Sequence, residues 1–258
     1  MPNAFIHSAP SLQHLPAQKP DHAKEDDSRG SVGSINTAVV VWALFAAFFI
    51  LLSLNVYIIY GYQTGSDYND NRMLYFDTES NLPTYFNTFI LLLASLVLAV
   101  ITTVKRKAKD NFSLHWAVLT VIFLGLSVDE ALGFHELLMD PLRFMFNLSG
   151  IFRFAWVIPG IAAVLVFCFS YFKFFMHLSY LFRLRFFCAG FIYVMGAVGL
   201  EMLGGYFFGH ASYGRESLAY MTTMTLEESF EMCGIILFIG TLLSYIKANF
   251  SEITVSFE

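Results

Sequence analysis

Charge is scarce in this chain. Only 14% of its 258 residues are Asp, Glu, Lys or Arg, against roughly 25% in ordinary soluble domains, while 57% are hydrophobic and the mean hydropathy is +0.60. A water-soluble domain is excluded. A basic excess is also missing: the net charge is -5, so there is no basic stripe to neutralise phosphates, and no nucleic-acid partner is expected. Cys168, Cys188 and Cys233 lie in apolar runs without paired spacing, which gives neither a zinc knuckle nor a disulfide framework. They are expected to pack as small buried hydrophobes. No phosphate loop, dinucleotide fingerprint or serine-nucleophile elbow occurs in a usable context, so neither a nucleotide cofactor nor a catalytic serine is expected, and Ser127 lacks a placed His base. His115 and His177 sit near the ends of two spans, where a haem between them is conceivable but an interfacial role is favoured; no haem is expected. Internal repeats of the kind many transporters carry are absent.

What is present is a series of long apolar runs, each near the roughly 20 residues a helix needs to cross a hydrocarbon core of about 30 Å. Six spans are read: 37–60, 86–104, 114–138, 154–176, 186–208 and 226–246. They are apolar all round and lack period-2 alternation, which excludes barrel strands. The expected fold is an all-α integral membrane protein, six transmembrane helices in a bundle. Residues 1–36 are polar and mixed in charge, reading as a disordered tail, with 37–248 as the membrane domain and 249–258 as a short second tail. The long tail before a full-length span is unlike a cleavable signal, so the first span is expected to be retained. Pro159 is expected to bend the fourth span unless it lies in the first turns, and Gly133, Gly196, Gly199, Gly204 and Gly205 offer close helix contacts. Trp42, Trp116 and Trp156 read as interfacial belt residues.

Eleven of the fifteen Lys and Arg residues fall on the side of the two tails and the second and fourth connections. The positive-inside rule then puts both termini in the cytoplasm. The opposite face carries Arg72, Arg143, Arg153 and Arg215 and is otherwise acidic. Its longest connection, 61–84, is a candidate cap over that mouth.

Ionisable groups within spans are expensive and mark function by default. The third span ends in Ser-Val-Asp-Glu-Ala-Leu-Gly-Phe-His-Glu, bringing Asp129, Glu130, His135 and Glu136; the fifth carries Glu201; the sixth opens with Glu227, Glu228 and Glu231. From helical rise, Asp129 lies about 10 Å below Glu136, Glu231 about 9 Å beyond Thr225, and Glu201 about 10 Å before Phe208. Three helices thus place a carboxylate at one depth. Asp129 and Glu136, seven apart, share a helix face, as do Glu227 and Glu231 at i, i+4. Such charge requires a cation, protons or water. Carboxylates with one imidazole suit iron, manganese or zinc, and Asp129, His135, Glu136, Glu201 and Glu231 are the candidate ligands, with Glu130 or Glu227 as general acid/base. The di-iron bundle is the nearest physical analogue, but neither Glu-x-x-His nor His-Glu-x-x-His occurs.

Plainer readings stand beside these. Thr225 to Glu228 matches a capping box, with Thr225 as N-cap. His135 and Glu136 read equally as water-facing interfacial residues, and Asp129, Glu201 and Glu231 as structural partners of Arg143 or Arg153.

The set SVDEALGFHE, WVIPG, GLEMLGG and LEESFEMCG resembles a group of uncharacterised bacterial multi-span membrane proteins, over about residues 81–246. The resemblance implies a bacterial inner-membrane setting and no particular reaction. The function the residues favour is a membrane metalloenzyme that binds one or two divalent metals and acts on a lipid or other hydrophobic small molecule entering from the bilayer. The alternatives are a proton- or cation-coupled carrier using the same acids, or an accessory subunit of a larger membrane complex.

Overall fold

The computed structural model describes residues 36–65, 72–210 and 214–250. Residues 1–35, 66–71, 211–213 and 251–258 lie outside them, and with them almost all of the expected disordered tail and most of the short second tail. Among the described residues every regular element is helical. The order is α1 (Thr37–Gln63), α2 (Leu82–Lys107), α3 (Ser113–Leu132), a short α4 (Met139–Phe146), α5 (Val157–His177), α6 (Tyr180–Val194), a π-helical segment (Met195–Leu200), α7 (Glu201–His210) and α8 (Leu218–Asn249). Taking α6, the π segment and α7 as one continuous stretch, six helices are long and apolar enough to cross a membrane. This is an all-α, multi-pass membrane fold.

Local sequence explains the ends. Asn36 and Asn81 cap α1 and α2 by accepting from the backbone N–H of Ala38 and Thr84 at 3.0 Å, the favoured N-cap chemistry. Lys105, Arg106 and Lys107 close the last turn of α2, where cations complement the helix dipole. Pro159 falls at the third position of α5, where its missing N–H is one of the donors left free anyway.

The helix boundaries correct the sequence reading in three places. The third span does not run to residue 138: α3 stops at Leu132 because Gly133 adopts a left-handed conformation, φ 63°, which glycine takes at no steric cost. The sixth span does not start at 226. Ser217 caps α8 by accepting from Tyr220 N–H at 3.2 Å, two turns before Thr225, so the capping box at 225–228 is mid-helix. The Thr225 hydroxyl there donates to the Met221 carbonyl at 2.8 Å. The second span begins earlier than 86, at Leu82, through its Asn81 cap.

α8 is the central element, packing against α1, α2, α6, the π segment and α7. Its 32 residues extend about 48 Å, well over the hydrocarbon thickness of about 30 Å. Ile90, Leu91, Ala94, Met232, Ile235, Ile236 and Ile239 form one core with Phe48 of α1. Trp116, Tyr171, Phe174, Leu242 and Tyr245 form a second at the basic end. Trp116 is buried there and is no belt residue, whereas Trp42 faces outward. Cys168 and Cys188 are exposed, contrary to the buried role expected: an outer face bounded by lipid tails is as apolar as the core and accepts the same side chains.

The described part of the long connection, 72–81, packs at the acidic end. Asn55, fully buried in α1, donates to Thr225 Oγ1 at 2.9 Å and accepts from the Phe76 N–H at 3.0 Å. Tyr75 packs with Ile58, Ile59 and Met221, and Phe76 is buried beside it. One amide in α1 thereby ties the loop to α8.

Candidate functional site

The turn after Gly133 brings His135 back over the end of α3. Its backbone N–H donates to Asp129 Oδ1 at 2.9 Å, and its Nδ1 lies 2.8 Å from Asp129 Oδ2. Burial on its own would lower the His135 pKa, but the Asp129 hydrogen bond and charge, with the charges of Glu201 and Glu231, raise it to about 9. His135 is therefore the counter-ion of Asp129 at neutral pH. The imidazole stands 5.0 Å from the Trp156 ring, and Trp156 Nε1 donates to Glu201 Oε1 at 2.9 Å. Trp156 spans the gap between the third and fifth crossings.

Glu201 is buried, with 6% of its surface exposed, and begins α7 directly after the π-helical turn. Such turns are uncommon and occur often at functional sites. Gly196, within that turn, lies against α8: a Cβ there would stand 2.8 Å from the Glu227 carbonyl and 3.0 Å from the Glu231 nitrogen. Only glycine permits this approach. As a result Glu201 neighbours Glu227, and Glu231 neighbours Glu201 and His135. Glu227 is buried, and its Oε2 has no hydrogen-bond partner.

Glu130 closes the group from α3. It neighbours Asp129, His135 and Glu79 on its own side, and Glu228 and Glu231 across on α8. Asn87 of α2 is fully buried and adjoins both Glu130 and Glu231. Neither its amide nitrogen nor its oxygen makes a hydrogen bond of proper geometry, an arrangement that costs about 1–3 kcal/mol per orphaned group. Tyr193, brought to α8 where Gly234 would clash with it at 2.7 Å if it carried a Cβ, borders Glu130, Glu228 and Glu231. None of these carboxyls has a Lys or Arg ion-pair partner among the described residues.

Further carboxyls stand beside this group on the connecting segments. Tyr220 Oη donates to Asp77 Oδ1 at 2.8 Å; burial raises the Asp77 pKa to about 6 against the opposing pull of Arg215 and Tyr220. Burial and Glu136 raise that of Glu79. Glu136 itself is exposed and sits with Asp77, Glu79 and Arg215.

The structure thus gathers Asp129, Glu130, His135, Glu201, Glu227 and Glu231, from the three crossings read from sequence, into one neighbourhood. Glu136 is at the rim, because the break at Gly133 removes the helix face it was expected to share with Asp129. Arg143 and Arg153 do not pair with the cluster: Arg143 holds Asp140 at 2.7 Å, and Arg153 stacks on Phe208 with its Cζ 3.9 Å from the ring centre. Ser127 donates to the Thr88 carbonyl and joins α3 to α2. Asn87 and Tyr193 are not among the residues the sequence singles out, while Trp156 reads there as a belt residue and Glu228 as a member of the acid group with a capping role rather than as a candidate ligand. Glu228 was hidden by the false cap at Thr225; Asn87, by a span read as starting only one residue before it.

Hard donors for a divalent cation are present in Glu130, Glu228, Glu231 and the Asn87 oxygen. Among the described residues, however, no three His, Cys, Asp or Glu side chains are disposed to hold one metal ion. No curated protein and no solved structure gives a significant match. Residues 35–246 match the family model described as a domain of unknown function (DUF8692), and the chain belongs to that family.

Proposed function

We propose that the chain is a proton-coupled membrane carrier for a hydrophobic or amphiphilic substrate, with Glu130, Glu201, Glu227, Glu228 and Glu231 as its proton-binding centre. One observation carries this reading: five carboxyls adjoin one another, Glu201 and Glu227 buried and Glu130, Glu228 and Glu231 half-buried, and the cation beside them, His135, is already committed to both oxygens of Asp129. Adjacent carboxylates repel, and protons shared among them relieve the repulsion without a coordination shell. Glu79 and Asp77 form the path from the mouth, and the unpartnered Asn87 and Glu227 atoms are free to accept or donate as protons move. By the positive-inside rule the basic end faces the cytoplasm, so both termini are cytoplasmic and the acidic mouth opens outward in a bacterial inner membrane.

The test is reconstitution into tight liposomes with a trapped pH-sensitive dye. Wild type is expected to dissipate an imposed pH gradient faster than Glu228→Gln, Glu231→Gln or protein-free vesicles. Equal rates in all four discard the carrier reading.

A second reading, a membrane metalloenzyme using iron, manganese or zinc, is favoured by the donor set of Glu130, Glu228, Glu231 and Asn87. Glu201 completes its shell, and Glu227 is its acid/base. It requires the carboxyls to turn toward a common point. Stoichiometric metal in purified wild type, lost in Glu231→Gln and on chelation with a fall in stability, selects it over the carrier.

A further inference from the structure

Of Lys and Arg, only arginine is described at the acidic end: Arg72, Arg143, Arg153 and Arg215, while all described lysines lie toward the other end. Arginine presents a planar fork of donors that matches phosphate bidentately, which lysine does not. Three of the four come together. Arg153 Cζ lies 3.9 Å and Arg215 Cζ 5.8 Å from the centre of the same Phe208 ring, and Arg143 is close enough to act electrostatically on Arg153.

Their charge is poorly matched. Arg143 holds Asp140, Arg215 neighbours Asp77, and Arg153 has no carboxylate within ion-pair distance among the described residues. Burial and the two neighbouring guanidiniums lower the Arg153 pKa. Arg153 and Arg215 share the Phe208 ring and Arg143 lies on Phe144 beside them; with Asp140 drawn to Arg143 and Asp77 and Glu136 to Arg215, the guanidinium left to call for an anion is Arg153.

The fold holds this group in register with the acid cluster. Gly205 lets the 150–154 turn approach α7: a Cβ at 205 would stand 3.3 Å from both Arg153 Cβ and the Gly150 carbonyl. Gly205 is one helical turn, about 6 Å, beyond Glu201. The surroundings are apolar and exposed, with Phe144, Met145, Phe146 and Ile151 on the 139–152 segment and Tyr206 on α7. Such a rim, beside cations at one end of a membrane helix bundle, suits acyl or isoprenoid chains.

We propose that Arg143, Arg153 and Arg215 form a binding site for the phosphate of an anionic amphiphile, seated one helical turn above the carboxyl cluster. The assignment rests on the carrier reading for its role as substrate, and it supplies that reading's substrate class: a phosphate-bearing lipid whose head lies in the mouth and whose tail stays in the bilayer. The headgroup site and the proton site are then distinct halves of one cleft.

The test uses the full chain in phosphatidylcholine nanodiscs titrated with headgroup-labelled phosphatidic acid. Wild type is expected to prefer phosphatidic acid over phosphatidylcholine at least tenfold. Arg153→Gln combined with Arg215→Gln is expected to remove that preference, and Arg153→Lys, which keeps the charge and protects folding, to weaken it severalfold. Glu231→Gln is expected to leave it unchanged, so that a failed carrier assay and a failed headgroup site are told apart. Equal retention of the two lipids by wild type, or an unaltered preference in both arginine variants, overturns the proposal. Displacement of the lipid by inorganic phosphate at equal concentration overturns it too, assigning the site to the free anion.

Discussion

Both carboxylate oxygens of Asp129 are taken by His135, one by its backbone N–H at 2.9 Å and one by its Nδ1 at 2.8 Å. The pair fixes the reversal of the chain after Gly133 and spends the one imidazole of the site on one acid. What remains is a group of glutamates with protons or cations still to find. Asp129→Asn keeps an acceptor for the backbone N–H but loses the charge. It is expected to lower stability by about 1.5–3 kcal/mol, the range for hydrogen bonds to charged groups. Thermal melting of the full chain checks this, and an unchanged melting temperature would show that the pair is incidental.

The close crossing of α8 on the π turn predicts a contrast among glycines. Gly196→Ala drives a methyl against backbone atoms of Glu227 and Glu231, and Gly234→Ala does the same against Tyr193. Backbone cannot swing aside, so each should cost at least about 1–3 kcal/mol. Gly190→Ala, which meets nothing within 4 Å, should be neutral or stabilising by up to about 1 kcal/mol. Similar melting of all three would contradict the packing described.

Asp77 predicts a pH dependence with a definite sign. Its folded pKa of about 6 exceeds the ordinary aspartate value of 3.8, so the folded state binds its proton more tightly. Stability from this group is full below about pH 4 and is lost as pH rises through 6. Asp77→Asn keeps the acceptor for Tyr220. It should therefore melt like wild type at pH 4 and above it at pH 7, by on the order of 2–3 kcal/mol. A variant less stable at pH 7 would show that the Arg215 attraction outweighs burial.

Asn87 predicts that stability and activity separate. Both of its amide atoms are buried without a hydrogen bond of good geometry, but the amide stands beside Glu130 and Glu231, so Asn87→Leu should change stability by no more than about 1 kcal/mol. The same change should abolish gradient dissipation in liposomes, since the recess loses its one neutral polar side chain from α2. Loss of stability together with activity would make Asn87 a structural residue.

Much of this was legible in the sequence because membrane helices follow from long apolar runs and because carboxylates within them are costly enough to be conspicuous. The convergence of Asp129, Glu201 and Glu231 could be anticipated from depth alone, though for partly wrong reasons. Asp129 lies only three residues from the end of α3 and Glu231 thirteen from the start of α8, because α3 stops early at Leu132 and α8 begins early at Leu218. Helix ends were the weak point. Gly133 reads equally as a packing glycine or a stop, and only the fold of the following turn decides, which is why Glu136 was assigned to the cluster and lies at its rim. Thr225 shows the converse, a cap pattern overridden by Ser217. The dual role of Asn55, the Trp156 bridge and the orphaned Asn87 depend on pairings between distant crossings, for which local sequence carries no signal.

The central claim is that the glutamates of α3, α7 and α8 hold exchangeable protons, and infrared difference spectroscopy of the full chain in nanodiscs tests it most directly. The account predicts a protonated-carboxyl band at pH 7 that shifts on transfer to heavy water and loses intensity in Glu228→Gln and in Glu231→Gln. A spectrum with no protonated-carboxyl band at pH 7, or one that neither substitution alters, would contradict it.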